Sequence, residues 1–258
     1  MKTLKKTIAI LLSIFAASCS KDEAPTPAPE PKPILTLLVR EQFSSGSIQN
    51  YVYDSNNKLK AINQPVFGTT GRSSSGTITY NASGKIDQVT IDHSGGSQPY
   101  KNSKEKYVYN IDGTLQKKEL FEQNSISNIY ELTKVRVFSY GLNQVVENVN
   151  NFNSRFRNVY DYSATGNLLK LTNYQNVTDA NPTGDINYEK LYADFDDKKN
   201  MYLSIPIEYL FPIKFINNAL KDDNKTYTII YDSDGFPTKV SGTVLGSGYT
   251  DYEYKKIN

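Results

Sequence analysis

The stretch Tyr107-Val108-Tyr109-Asn110-Ile111-Asp112-Gly113-Thr114-Leu115 reads as one strand, a tight turn and the start of a second strand. Tyr107 and Tyr109 are two apart, so their side chains leave a strand on one face. Gly113 falls four residues after Tyr109, where a type I turn followed by a bulge needs a left-handed residue. Glycine enters that region without steric cost, and asparagine is the next most tolerant. The same spacing recurs at Tyr53 with Asn57, Tyr80 with Gly84, Tyr162 with Gly166 and Tyr231 with Gly235. In each unit an apolar or tyrosine-bearing alternation precedes the turn. A chain written this way is committed to consecutive β-hairpins.

Weaker copies fill the gaps. Phe138 to Val145 has the strand and a shortened turn. Leu191 to Asn200 has the strand and a polar turn without glycine. Tyr252-Glu253-Tyr254 is a terminal strand with no return partner in the sequence after it. The anchoring tyrosines lie roughly 22 to 36 residues apart, within or near the range of repeat architectures. The expected fold is all-β: an antiparallel meander of repeated hairpins in a strongly curved or barrel-like sheet. Polar inserts at 69–76 and 93–97 are expected as loops joining hairpins, and 181–185 as a further turn.

Residues 1–18 are expected to be a signal peptide. Lys2, Lys5 and Lys6 form a positive start, Thr7 to Phe15 a short apolar run, and Ala16-Ala17-Ser18 a small-residue end. Cys19 is the only cysteine, so no disulfide can form within the chain. Small residues before a lone cysteine resemble the bacterial lipobox, although Ala16 replaces the commoner leucine. The resemblance implies cleavage before Cys19 and lipid attachment there. Ser20-Lys21-Asp22-Glu23 is similar to the surface-export signal of Bacteroidota lipoproteins, which implies an outer-membrane and outward-facing location. Residues 19–33 then form a lipidated cysteine and a linker. Its alternating prolines from Ala24 to Pro33 favour an extended spacer rising roughly 3.1 Å per residue. Residues 34–258 are expected to be one hairpin-repeat domain.

Loss of the three leader lysines takes the formal charge from +2 to −1. Neither nucleic acid nor an anionic membrane surface is attracted by such a balance. The membrane partner would be engaged through the acyl chains.

Tyr202 to Asn218 breaks the repeat and is the most apolar part of the mature chain. Pro206 and Pro212 disfavour a central strand and frame a short helix from Ile207 to Phe211. This segment is expected to plug the rolled sheet. Its other reading is an exposed apolar patch for a partner or lipid.

The Tyr-x-Tyr-Asp-x-x-Gly units resemble the YD/RHS repeats of bacterial surface proteins. Phe195 to Asn200, followed by Tyr209-Leu210-Phe211-Pro212 and Asn217-Asn218, is similar to Bacteroidota lipoproteins grouped as a domain of unknown function with a porin-like fold. Met201 stands where that pattern has proline. The resemblance covers about Leu35 to Lys256 and implies a barrel-like meander; it implies no activity.

Catalytic signals are sparse. His93, the only histidine, sits in a Gly/Ser-rich stretch read as a loop, which argues against histidine triads and histidine-based metal sites. No phosphate-binding glycine motif occurs. Asp232-Ser233-Asp234-Gly235 hints at a calcium loop but lacks its later ligands and reads as turn chemistry. Asp194, Asp196 and Asp197 are the one candidate carboxylate group for an envelope hydrolase, and a solvated turn is the plainer reading. No catalytic residue, metal or cofactor is expected. With twenty tyrosines and no tryptophan, Tyr53, Tyr109, Tyr162 and Tyr231 are candidate ligand contacts, forming an amphipathic platform for a glycan. Sheet packing is the alternative. The expected role is a non-enzymatic outer-membrane module that binds a glycan or another envelope protein; a structural component of a surface complex is the alternative.

Overall fold

A computed structural model describes residues 35–67, 72–95, 101–213, 215–223, 225–242 and 248–257, with side chains undescribed at 65–67 and 72. The signal peptide, Cys19, Ser20 to Glu23 and the proline-rich linker lie outside them. The first eight strands are β1 (Leu35–Phe43), β2 (Ile48–Tyr53), β3 (Leu59–Phe67), β4 (Arg72–Tyr80), β5 (Ile86–Ser94), β6 (Ser103–Tyr109), β7 (Leu115–Gln123) and β8 (Tyr130–Tyr140). The next four are β9 (Gln144–Asn151), β10 (Ser154–Tyr162), β11 (Leu168–Gln175) and β12 (Asp185–Phe195). A single helical turn, α1 (Ile207–Leu210), precedes β13 (Ala219–Asp222), β14 (Lys225–Tyr231), β15 (Pro237–Gly242) and β16 (Tyr249–Ile257).

Every strand pairs antiparallel with its sequence neighbours, and β16 pairs with β1 to close the barrel. The C-terminal strand, expected to lack a return partner, finds it in the first strand instead: Glu41 faces Tyr252 and Leu38 faces Tyr254. Closure leaves no unpaired edge, the standing hazard of an open sheet.

The five repeat turns are built as the spacing predicts. Asn57, Gly84, Gly113, Gly166 and Gly235 all have positive φ. At each unit the register shifts at the anchoring tyrosine, so that Tyr53 faces Leu59, Tyr80 faces Ile86, Tyr109 faces Leu115, Tyr162 faces Leu168 and Tyr231 faces Pro237. The residue after the tyrosine explains the Tyr-Asp signature. Asp54 Oδ1 accepts from the backbone N–H of Asn56 and Lys58, Asn81 Oδ1 from Ser83 and Lys85, and Asp232 Oδ1 from Asp234 and Phe236. These side chains satisfy turn donors that no strand partner can reach.

Successive turns are stitched together. Tyr53 Oη donates to Leu38 O at 2.8 Å, Tyr80 to Leu59 O at 2.6 Å, Tyr109 to Ile86 O at 2.9 Å and Tyr140 to Leu115 O at 2.7 Å. Lys58 Nζ lies 4.8 Å from the Tyr80 ring centre, and Lys85 Nζ lies 5.1 Å from that of Tyr109 while donating to Gly113 O. Each repeat thus closes the backbone of the one before it.

Two sequence expectations differ in detail. His93 and Ser94 belong to β5, and Arg72 to Gly76 to β4, rather than to loops. Ser, Thr and Gly there mimic loop composition, but strand pairing with partners across the sheet overrides it. The polar turn after β12 does not lead to an immediate hairpin return; β13 pairs with β12 only after the plug segment has passed.

A sixteen-strand barrel is too wide for its own wall to fill. The turn side is filled by the plug. Ile205 is buried in the core with Leu59, Ile86, Leu115 and Leu168, and Tyr202, Tyr209, Leu210 and Phe211 pack against them. Phe211 meets Phe138 edge-on, with ring centres 5.2 Å apart. Ser204 Oγ accepts from Leu38 N at 2.9 Å, Lys118 Nζ donates to Phe211 O at 3.0 Å, and Tyr162 Oη donates to Pro212 O. The plug is bound to β1, β7 and β10, on different parts of the wall.

Outward positions carry charge along the wall. Arg40 pairs with Glu253 at 2.8 Å, Lys117 with Glu119 at 2.5 Å and Lys239 with Asp251 at 3.5 Å. Asp87 and Lys106 are also exposed there. Val52, Val137, Leu169 and Ile230 stand exposed on the same outer face.

Candidate functional site

Beyond the plug, away from the repeat turns, inward-facing positions change character. Strand alternation brings Glu41, Gln49, Gln64 and Ser74 from β1 to β4 onto the inner face, where they form a continuous chain. Tyr51 Oη donates to Glu41 Oε2 at 2.8 Å and receives Gln49 Nε2 at 2.5 Å. Gln64 Nε2 donates to Gln49 Oε1 at 2.6 Å, and Ser74 Oγ to Gln64 Oε1 at 3.2 Å. A second chain crosses β9 to β12. Glu147 Oε2 accepts from Tyr160 Oη at 2.8 Å and Asn158 Nδ2 at 2.7 Å. Asn173 then donates to Asn158 Oδ1 at 2.6 Å, and Asn187 to Asn173 Oδ1 at 2.9 Å.

Between these chains, Tyr107 Oη donates to Glu105 at 2.6 Å. Lys118 and Arg136 face each other on β7 and β8. On the remaining arc Lys190 pairs with Asp222 at 2.6 Å, and Tyr227 Oη donates to the same carboxylate at 3.0 Å. The interior is therefore ringed by carboxylates, most of them held by a tyrosine, with amides and cations between them.

Burial raises Tyr51, Tyr107 and Tyr160 well above the ordinary phenol range, and the adjacent carboxylates add to the rise. Burial first and Asp222 second push Tyr227 up to about 12. These hydroxyls stay protonated donors at neutral pH and cannot serve as bases. Burial also raises Glu41, against the opposing pull of Tyr202 and Tyr51, and lowers Lys118 to about 8. Glu41 Oε1 is buried without a partner.

Two hollows open on this face. One, of about 550 Å³, lies between the β1–β2 turn and β14 to β16, with Phe43, Gln64, Tyr227 and Tyr249 in its lining. The other, of about 320 Å³, lies against β8 to β10.

The structure divides the tyrosine pairs by task. In Tyr51/Tyr53, Tyr107/Tyr109 and Tyr160/Tyr162 the first hydroxyl binds an interior carboxylate and the second binds backbone at the turn side. A glycan platform would need Tyr53, Tyr109, Tyr162 and Tyr231 at the surface. The first three pack against the core, and Tyr231 Oη donates to Asp196. Strand alternation puts Tyr53, Tyr109 and Tyr162 on the same inward face as Tyr51, Tyr107 and Tyr160.

The candidate hydrolase carboxylates are likewise given separate structural partners. Asp194 pairs with Lys221, Asp196 is held by Asn218 and Tyr231, and Asp197 pairs with Lys198 at 3.1 Å. Asp232 serves its own turn, and no group of three metal-binding side chains occurs among the described residues. Sequence reasoning missed Glu41, Glu105, Lys118, Arg136 and Glu147. Their only local signal is a charge at an inward register, visible once each strand's facing is fixed by its tyrosines.

No protein-family model matches the chain, and no curated protein matches it. Among solved structures it is similar to a porin-like protein from Bacteroides vulgatus, at 12% identity and a TM-score of 0.52, over 85% of this chain and 99% of that one. That likeness is one of barrel fold. A porin-like protein from Bacteroides uniformis aligns at 10% identity over 86% of this chain and 98% of that one, with a TM-score of 0.35. A protein of unknown function from Bacteroides fragilis aligns at 17% identity over 58% and 92%, with a TM-score of 0.32.

Proposed function

We propose that the chain is a non-enzymatic binding module of the cell envelope, tethered through Cys19 to the outer membrane, whose ligand site is the polar inner face of the barrel. One observation carries this reading: the barrel's two halves have opposite interiors. The turn side is filled by the plug, whose own hollow of about 320 Å³ is lined mainly by apolar side chains such as Leu203, Ile205 and Ile207, while the other side presents amides, carboxylates and tyrosines around hollows of small-molecule size. Amides and tyrosines on a face of low net charge suit a polyhydroxylated ligand, so a glycan is the favoured class.

Ion pairs on the outer wall, such as Arg40 with Glu253 and Lys239 with Asp251, support tethering over spanning.

Fractionation tests the anchor: Cys19→Ala should move the protein from the membrane fraction to the soluble one, and unchanged retention would sink it. A glycan array probed with the full-length Cys19→Ala chain tests the site. Binding to a subset of glycans, lost on Gln64→Phe, is expected. An array with no binding, or binding indifferent to Gln64→Phe, counts against the lumenal reading.

A further inference from the structure

We propose that the inner wall of β8 to β10 is a subsite for a carboxylate-bearing sugar, with Arg136 and Lys134 as its anion-recognising pair. This rests on the lumenal binding reading and names a ligand class for it.

The 320 Å³ hollow is lined by Lys134, Arg136, Glu147, Asn151, Phe156 and Asn158 among others. That volume is at the lower end of the roughly 300–1,000 Å³ typical of small-molecule sites. Lys134 and Arg136 are two apart on β8 and therefore share a face. Opposite them on β9 stand Asn151 and Val149, and Phe156 on β10 stands opposite Val149. One strand back, Lys118 faces Arg136 on the same inner face, where its ammonium is held by Phe211 O.

The wall's own carboxylate engages one edge of the Lys134 and Arg136 pair only. Glu147 Oε2 is taken by Tyr160 and Asn158, while its Oε1 forms an ion pair with Arg136 Nε at 3.8 Å. Among the described residues no hydrogen bond holds the two terminal nitrogens of Arg136 or the ammonium of Lys134. A guanidinium offers parallel donors in a plane, which match the two oxygens of a carboxylate. A buried acceptor completes the site: Asn151 Oδ1 has no partner, while its amide nitrogen donates to Ser154 Oγ at 3.4 Å. A sugar hydroxyl supplies the donor that this oxygen lacks. The Phe156 ring lines the same hollow and offers an apolar face to the ring carbons of the sugar.

The test is a ligand-observed NMR titration of the full-length Cys19→Ala chain with D-galacturonate, D-galactose, lactate and inorganic phosphate. Galacturonate is expected to bind at least tenfold more tightly than galactose or lactate, because it alone carries both the carboxylate and the ring. Arg136→Gln should abolish that preference, Arg136→Lys should restore part of it, and Lys134→Gln should weaken galacturonate several-fold. Equal affinity for galactose, equal affinity for lactate, tighter binding of phosphate, or a galacturonate Kd within twofold of wild type in Arg136→Gln would each overturn the proposal. If Arg136→Gln does not fold, the half-buried Lys134→Glu decides: loss of galacturonate binding supports the subsite, and unchanged binding overturns it. Array binding of neutral glycans that ignores all these substitutions removes the anion subsite and leaves the lumenal reading standing.

Discussion

The two halves of the barrel are built from the same strands yet obey different rules. On the turn side, inward positions are mainly aliphatic or aromatic, with Tyr53, Tyr80, Tyr109 and Tyr140 spending their hydroxyls on backbone, and the plug adds Ile205 and Phe211 to the fill. On the far side, most inward positions are polar and bonded mainly to one another, with the apolar Phe43, Val149 and Phe156 set among them. Packing holds the first half together, so it tolerates little change in shape. Hydrogen bonds hold the second, and their net contribution is modest, at about 0.5–1.5 kcal/mol each. Stability therefore concentrates at one end and chemistry at the other.

Truncation of the core is the hardest test of that division. Leu168 is fully buried beside the plug. Leu168→Ala should cost about 2–5 kcal/mol in denaturant unfolding, whereas Val149→Ala on the polar side should cost no more than about 1 kcal/mol. Equal losses would erase the distinction. Next in size is the turn geometry. Gly113 has a φ of 84°, and Gly113→Val should destabilise by about 1–2 kcal/mol. Gly141 is not among the positive-φ glycines, and an added Cβ there meets nothing closer than 3.7 Å. Gly141→Ala should consequently be close to neutral in the same denaturant unfolding measurement. A null result at Gly113 would mean that the repeat turns do not depend on their left-handed residue.

Tyr109→Phe removes the donor to Ile86 O and should cost about 0.5–1.5 kcal/mol. Tyr107→Phe, on the carboxylate side of the same pair, should leave Glu105 short of a donor and change lumenal ligand binding as well as stability. If both variants altered binding equally, the division of labour within the pair would fail.

The subtlest probe is pH. Burial raises Glu41 above its unfolded value near 4.5. The folded state then holds the proton more tightly than the unfolded chain, so this group's contribution is full below about pH 4.5 and is lost as pH rises through the folded value. Glu41→Gln should flatten that decline in chemical denaturation measured across the weakly acidic range. A variant with the same slope as wild type would show that Glu41 is not the source.

The turns were legible because their chemistry is local. Asn57 or a glycine four residues after a tyrosine, and Asp54, Asn81 or Asp232 just after it, state the bend within five residues. The plug was legible for a similar reason, since Pro206 and Pro212 forbid a strand in an apolar segment. The interior was not. Glu147, Asn158 and Asn173 lie on three strands, and nothing near any of them in sequence names the other two.

The sequence by itself determined the hairpins, their turn type, the side of the strand on which each tyrosine sits and the segment that would break the repeat. Each follows from steric limits acting over a few residues. Tertiary structure alone decided that β16 would meet β1, that the paired tyrosines would divide between backbone and carboxylate, and that Arg136, Lys134 and Asn151 would share one hollow. Those outcomes depend on strand number, register and closure. Such quantities are set by pairing around the whole ring, so a single hairpin cannot encode them.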